Sequence, residues 1–271
     1  MYPRDGGGVK ISVVVTTYNR PDALVQVLDS LDHQTQPPDE VLVADDGSET
    51  QTAAAIDGLS RQVTYPLLHV WHEDRGFRAA KIRNDAIRNA SGEYIVLLDG
   101  DCIPDGHFVN DHRRLARSGH FFQGKRVLVS QRASAVFKWQ ETRSARRLIW
   151  LAFSRQLDNV HHLIRCPWLS PFPSSGIGGT RSCNLGVFRS DLFAVNGFNE
   201  DFSGWGREDS ELVARLYNYG LKRNVHPFSA ICFHLWHEEN SRDRLSDNDE
   251  ILRKTLASDE YYTRQGLAKG A

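Results

Sequence analysis

The sequence has no run of apolar residues long enough to cross a bilayer, so no membrane-spanning helix is expected. It has no basic excess either. Its 33 Lys and Arg face 34 Asp and Glu, a net charge of −1, and that balance argues against nucleic acid as a partner. Cysteine is scarce. Cys102, Cys166, Cys183 and Cys232 stand far apart with no CxxC pair, which points to reduced thiols in the cytosol and away from a zinc site. The opening residues Met1-Tyr2-Pro3-Arg4-Asp5 lack the apolar stretch of a secretory signal, and a cytoplasmic chain is expected. Neither a GxGxxG turn after the first strand nor a GxxxxGK[ST] phosphate loop occurs. Internal repeats and low-complexity tracts are missing too.

The 271 residues are 40% hydrophobic and 25% charged, a globular composition and not that of a disordered chain, a collagen or a coiled coil. Size scaling gives about 12,000 Å² of folded surface against about 44,000 Å² for the open chain, so a large core forms without disulfide or metal staples. At roughly 150 residues per domain, one large domain or two fused ones fit the length.

Short β-branched runs alternate with helical periodicity along the first hundred residues. Residues 11–15, 41–44, 67–71 and 94–98 read as buried strands. Pro21 opens a helix with Leu24, Val27, Leu28 and Leu31 on one face. Ser48 and Gln51 suit a capping box before a second helix. Residues 79–90 read as a third, with Gly92 as its C-cap. This βαβ order predicts an α/β fold whose mostly parallel central sheet has flanking helices and binds ligands beyond the carboxyl ends of its strands.

The informative residues therefore follow each strand. Thr16-Thr17-Tyr18-Asn19-Arg20 follows the first, Asp45-Asp46-Gly47-Ser48 the second, and Asp99-Gly100-Asp101 the fourth. Two carboxylates at one strand end suit a hard divalent cation that bridges a diphosphate; solvated turn aspartates are the alternative. The Asp45-Asp46 run reads as a partner for a base or ribose, or as a plain turn and cap. Downstream, Glu208-Asp209 opens a helix that carries Leu212, Val213, Leu216 and Tyr217 and ends at Gly220. The helix dipole favours ionised carboxylates there, and an ionised carboxylate is what a general base requires; N-terminal capping is the alternative. Trp205, between Gly204 and Gly206, offers an apolar face to a sugar ring or packs into the protein. His234-Leu235-Trp236-His237 follows a β-like run at 230–233.

Together, residues 13–20, 45–48 and 97–101 resemble the family 2 glycosyltransferases of the GT-A fold. Gly178-Gly179-Thr180, Asn196-Gly197-Phe198 and Gly204-Trp205-Gly206-Arg207-Glu208-Asp209 resemble the C-terminal half of the β-1,4-galactosyltransferases and chondroitin polymerases, and residues 77–84 resemble their donor-contact helix. The resemblance implies a GT-A (Rossmann-like) α/β fold with a C-terminal acceptor-binding half. It implies inverting, metal-dependent transfer of a hexose-type sugar from a nucleotide sugar, most often a UDP-sugar, to a glycan or lipid-linked acceptor. Thr16, Tyr18 and Asp46 are then expected at the nucleoside, Arg20, Arg78, Lys81 and Gly179 near the donor, and Asp99 at ribose or metal. Asp101 is the expected metal ligand, completed by His237, because the polar Glu238-Glu239-Asn240 follows it, or alternatively by His234. Nitrogen ligation suits Mn²⁺ better than Mg²⁺, and both are admitted. Asp209 is implied as the base, with Glu208 and Trp205 on the acceptor sugar. Arg207 replaces a glycine of the galactosyltransferase-like pattern, which weakens inference about the sugar. Surface polysaccharide or lipopolysaccharide assembly is the expected setting. A sugar nucleotidyltransferase would carry a Gly-rich turn with arginine after its first strand, whereas Gly178-Gly179-Thr180-Arg181 lies mid-chain. A non-catalytic carbohydrate binder needs no base.

Residues 131–165 hold seven Lys or Arg and two acids. Trp139, Arg143, Arg146 and Trp150 share a face if the segment is one helix, which suggests contact with the inner face of the plasma membrane; buried tryptophans and solvated arginines are the alternative. Pro167, Pro171 and Pro173 read as a kinked linker into a donor-site loop at 174–179, and residues 249–256 as a C-terminal helix capped from Ser246. The expected division is a nucleotide-sugar half (1–127), a basic and aromatic insert (128–175), an acceptor-binding and catalytic half (176–240), and a C-terminal helix and tail (241–271).

Overall fold

The computed structural model describes residues 8–238 and 241–268. Met1 to Asp5, and Glu239 and Asn240 after His237, lie outside the described residues. The β-branched runs form strands and the periodic segments between them form helices: β1 (Ile11–Thr17), α1 (Pro21–Asp32), β2 (Glu40–Asp45), α2 (Thr50–Ser60), β3 (Leu67–Trp71), α3 (Ala79–Asn89) and β4 (Tyr94–Asp99). These strands pair in parallel in the order β3-β2-β1-β4. Val13, Val14 and Val15 are fully buried, and each such side chain stabilises the sheet by roughly 1.5–3 kcal/mol. The register sets Thr16 opposite Asp99 and Thr17 opposite Asp45, so three strand ends share one edge.

The chain continues through β5 (Cys102–Pro104), α4 (Phe108–Leu115), β6 (His120–Gln123), β7 (Lys125–Val129), α5 (Gln131–Ser134), α6 (Ala145–Phe153), β8 (Leu157–Asp158) and β9 (Phe172–Ser174). It closes with β10 (Asn184–Phe188), α7 (Arg189–Ala194), α8 (Glu208–Asn218), β11 (Lys222–Val225), β12 (Ile231–His234) and α9 (Leu245–Leu256). The large sheet extends beyond β4 as β10-β6-β11-β9, with β10 antiparallel to β4. A second sheet, β5-β12-β7-β8, pairs His234 with Cys102, which sets the end of β12 beside Asp101. Both sheets share one core: Val96 and Leu98 of the first pack with Ile103, Val127 and Phe233 of the second.

Several local expectations fail for physical reasons. Ser48 does not cap α2; its Oγ accepts the Asn19 N–H at 2.8 Å, and Glu49 is the N-cap residue without a side-chain bond. Gly92 does not cap α3, whose C-cap is Ala90. A Cβ at Gly92 would lie 2.4 Å from Ser12 Oγ, so its role is close backbone approach. The 131–165 segment is not one helix. The backbone breaks at Ser144, which caps α6, and Trp139 stacks on His33 with ring centroids 4.1 Å apart while Trp150 faces solvent. Helix α9 starts at Leu245, so Ser246 lies inside it. The proline-rich linker ends in β9, an edge strand, where Pro173 needs no donor.

Candidate active site

The loop after β1 reaches across the strand ends. Tyr18 Oη donates to Asp74 Oδ2 at 2.9 Å, and its ring is about half exposed. Asn19, at φ 48°, ties this loop to the next: its N–H reaches Ser48 and its Oδ1 accepts the Glu49 N–H at 2.8 Å. Arg20 Nη1 donates to Asp101 Oδ2 at 2.7 Å. After β2, Asp45 is buried. Burial opposes its charge, but the His69 ring at 2.9 Å and the Ser48 amide hold its carboxyl below the usual range. Asp46 goes the other way: burial raises it despite the Arg78 N–H at 2.8 Å and His72 Nε2 at 2.7 Å. Arg78 thus meets Asp46 through its backbone, while its guanidinium turns to the Glu73 carbonyl. Lys81 pairs with Asp85 along α3. Both flank the Asp46 side, and neither side chain is paired with Asp99 or Asp101.

The residue that unites the site is Arg83, quoted in the donor-helix motif but given no role by the sequence reading. It is 5% exposed. Its Nε donates to Thr16 Oγ1 at 3.0 Å, its Nη2 lies 3.5 Å from Asp99 Oδ1, and its Nη1 lies 3.2 Å from Glu208 Oε1 and 3.7 Å from Asp209 Oδ1. One guanidinium therefore joins the ends of β1 and β4 to the start of α8.

Arg207 precedes α8 at φ 80°, a left-handed conformation that suits glycine, and its Nε pairs with Asp249 Oδ1 of α9 at 2.5 Å. Glu208 and Asp209 begin the helix, and they differ. Burial, with Asp209 beside it, pushes Glu208 up to about 7 against the pull of Arg83, so the helix dipole does not keep this carboxyl ionised below neutral pH. Asp209 Oδ2 accepts the Ser182 N–H at 2.9 Å, and its buried Oδ1 has no hydrogen-bond partner among the described residues. Gly179, at φ 71°, sits in a loop that Arg223 holds by the carbonyls of Gly176 and Gly178; the same loop leads to Ser182.

Asp101 Oδ1 is likewise buried without a hydrogen-bond partner among the described residues. His234 Nε2 lies 3.7 Å from that oxygen and His237 Nε2 3.5 Å from Oδ2, so both candidate histidines reach the same carboxylate. Burial pushes His234 down to about 4, which leaves a neutral ring with a lone pair at neutral pH. The Nδ1 of His237 is engaged by the Glu238 carbonyl at 2.7 Å, which frees Nε2. An orphan carboxylate oxygen facing the neutral His234 ring, with a second imidazole at the other oxygen of the same carboxylate, fits a divalent cation, with Arg20 now balancing the charge.

A cavity of about 300 Å³ opens on the Asp46 side, lined by Tyr18, Asp46, Phe77, Gly204, Trp205 and Arg244 among others, and neither Asp101 nor Asp209 is among its lining residues. Trp205 is about one-third exposed, and a Cβ at Gly204 would lie 2.8 Å from Arg244. Buried Asn248 of α9 donates to the carbonyls of Ser203 and Gly206 and so clamps the Trp205 loop. Nothing local in the sequence marks Asn248 for this.

A profile of glycosyl transferase family 2 matches residues 12–169, more than half of the chain. One described as the N-terminal domain of galactosyltransferase matches residues 167–238. Validoxylamine A glucosyltransferase of Streptomyces hygroscopicus subsp. limoneus is 28% identical over 268 residues, covering 90% of this chain and 56% of that one. Chondroitin synthase of Escherichia coli is 25% identical over 281 residues, covering 94% of this chain and 39% of that one. The chain thus spans about half or less of these relatives. Two solved structures share its GT-A fold. TarS 1-349 of S. aureus, in complex with UDP, has a TM-score of 0.62 at 18% identity, covering 91% of this chain and 65% of that one. The mannosyltransferase PcManGT from Pyrobaculum calidifontis, in complex with GDP-Man and Mn²⁺, has a TM-score of 0.55 at 20% identity, covering 88% and 60%.

Proposed function

The chain belongs to glycosyl transferase family 2, and we propose that it is an inverting, divalent-metal-dependent glycosyltransferase. It moves a hexose-type sugar from a nucleotide sugar, UDP-linked by preference, to a hydroxyl of a glycan or glycolipid. The observation that carries this reading is Arg83, which draws Asp99 of the first half and Asp209 of the second around one guanidinium. Asp209 Oδ1 has an open lone pair and takes the proton of an acceptor hydroxyl. The hydroxyl oxygen, its proton passed to Asp209, forms a bond to the anomeric carbon as the bond to the nucleotide breaks on the opposite face, the electron pair of that breaking bond leaving with the diphosphate. Glu208 hydrogen-bonds the acceptor sugar and Trp205 covers its apolar face. Tyr18 and Asp46 take the nucleoside, with Thr16, Arg20, Arg78, Lys81, Asp99 and Gly179 on the donor side.

Asp101 with His237 or His234 would hold the ion, Mn²⁺ in preference to Mg²⁺, and when bound it supplies Lewis-acid stabilisation of the leaving diphosphate. The UDP and Mn²⁺ complexes of the two structural neighbours support the donor and the ion. The chondroitin synthase relative supports a polysaccharide setting, and within it the product proposed is a surface polysaccharide or lipopolysaccharide.

Residues 131–165 are assigned to the surface of an anionic membrane. Helix α6 turns Ile149, Trp150 and Phe153 outward, Phe153 at 86% exposure, and Arg146 lies on the same face. Among the described residues no helix is long and apolar enough to cross a membrane. A panel of nucleotide sugars, scored by nucleotide release with and without Mn²⁺, tests the main reading. Ion-dependent turnover of a UDP-hexose is expected, and no release from any donor overturns it.

A further inference from the structure

The turn after β2 that carries Asp46 is braced from the end of β3. His69 Nε2 lies 2.9 Å from Asp45 Oδ2, Trp71 Nε1 donates to the Ser48 carbonyl at 3.2 Å, and His72 Nε2 lies 2.7 Å from Asp46 Oδ1. Gly47 leaves the turn no slack: its φ is 94°, and a Cβ there would lie 2.5 Å from Asp74 Cα. Of the three bracing side chains, only His72 touches a residue that lines the cavity. Both oxygens of the Asp46 carboxylate thus have a set donor, His72 on Oδ1 and the Arg78 N–H on Oδ2 at 2.8 Å. Each oxygen keeps one further acceptor position. Because His72 Nε2 faces a carboxylate, that nitrogen bears the proton. The side chain is 12% exposed. Its Nδ1 is buried without a hydrogen-bond partner among the described residues and faces Asp85 Oδ2 at 4.0 Å. Asp85 is itself held by Lys81 and Arg88.

We propose that His72 is a positioning residue for base recognition: it holds Asp46 as an acceptor-only carboxylate toward the nucleobase of the donor, and so sets the choice of base. The proposal rests on the reading of Asp46 as the partner of the nucleoside. An ionised carboxylate accepts hydrogen bonds and cannot donate one. It fits the N3–H of uracil and is repelled by the lone pair at N3 of cytosine. Guanine also donates at its corresponding edge, so the selection is against cytosine and not for uracil alone. Burial works against ionisation of Asp46, while the bonds from His72 and Arg78 work for it. Tyr18, the titratable group of the β1 loop beside it, donates to Asp74 instead. Without His72 one of the two donors is lost, and the buried carboxyl takes up a proton. A carboxylic acid donates as well as accepts, so cytosine N3 then finds a partner. Rejection of the wrong base depends on leaving buried polar groups unpaired, and that penalty goes with the bond.

The test is the calorimetric affinity of the full chain for UDP and for CDP in Mn²⁺, in wild type and three variants. His72→Gln keeps an amide donor near the Nε2 position. His72→Asn ends near Nδ1, short of Asp46, and His72→Phe keeps a ring without a donor. Wild type should bind UDP about tenfold or more tighter than CDP, the usual worth of a hydrogen bond to a charged group. His72→Gln should stay within about threefold of wild type for both nucleotides. His72→Asn and His72→Phe should each weaken UDP by about tenfold and leave CDP unchanged or tighter, so that the preference collapses. Equal losses of UDP and CDP affinity in these two variants mean packing alone and overturn the proposal. A UDP preference that survives in either of them, or that is missing from wild type or from His72→Gln, also overturns it. Should His72→Phe fail to fold, His72→Asn decides. Failure confined to the variants leaves the transferase reading untouched, whereas a wild type that binds neither nucleotide removes both.

Discussion

Arg83 Nη1 lies 3.2 Å from Glu208 Oε1, although 125 positions separate them in sequence. The same guanidinium bonds Thr16 and faces Asp99 and Asp209, so the ends of β1 and β4 and the start of α8 are held in register at the place proposed for donor and acceptor. Removing its charge leaves three carboxylates facing one another. Arg83→Met is expected to cost about 3–5 kcal/mol of stability, the usual consequence of breaking a buried pair. Arg83→Lys should keep the fold but lower kcat by tenfold or more, since one ammonium cannot reach all four partners. Denaturant midpoints and steady-state kinetics check both; a wild-type kcat in Arg83→Lys contradicts the bridging role.

The raised Glu208 carboxyl gives a pH signature. Its folded value is about 7 against an ordinary 4.5. A carboxyl raised on folding is held protonated, so its stabilising contribution is fully present below about pH 4.5 and is lost as pH rises through 7. The difference is on the order of 3 kcal/mol. Glu208→Gln has no such proton to lose. Across that window the variant should gain stability relative to wild type, read as the difference in Tm at each pH, and a flat difference would contradict the assignment.

Asp101→Ala should abolish the metal requirement together with transfer. Chelation by EDTA should silence the wild type, and added Mn²⁺ should restore it. Transfer that persists in EDTA is incompatible with the proposed ion. Comparing His234→Ala with His237→Ala for Mn²⁺ affinity then identifies the histidine ligand.

Vesicle flotation tests the insert. Wild type should float with anionic vesicles and not with neutral ones, while Trp150→Ser with Phe153→Ser should stay in solution and still turn over a soluble acceptor. A further variant, with Arg143, Arg146 and Arg147 changed to Glu, should lose the preference for anionic lipid. Unchanged flotation of both variants removes the idea.

Much of the fold was legible because β1, β2 and β4 are runs of buried β-branched residues, and parallel pairing makes their carboxyl ends the ligand edge. The same logic singles out Asp46, Asp99 and Asp101 as the candidates at that edge. Arg83 was missed because it lies beside Ile82 on the buried side of α3, where a cation has no evident place, and its partners lie 16 to 126 residues away. The capping box at Ser48 failed for a related reason: a hydroxyl that suits one local bond was taken by the distant Asn19 amide. In the insert, helical periodicity misled because Ser144 ends one segment and caps the next.

The most direct measurement compares Asp209→Asn with wild type for both catalysis and donor binding. Loss of the base should lower kcat by roughly 10²–10⁴-fold, while calorimetric affinity for the nucleotide sugar in Mn²⁺ changes by less than about twofold. A variant that retains full turnover, or that loses donor affinity in step with rate, would contradict a base on α8 serving a sugar held at the β4 edge.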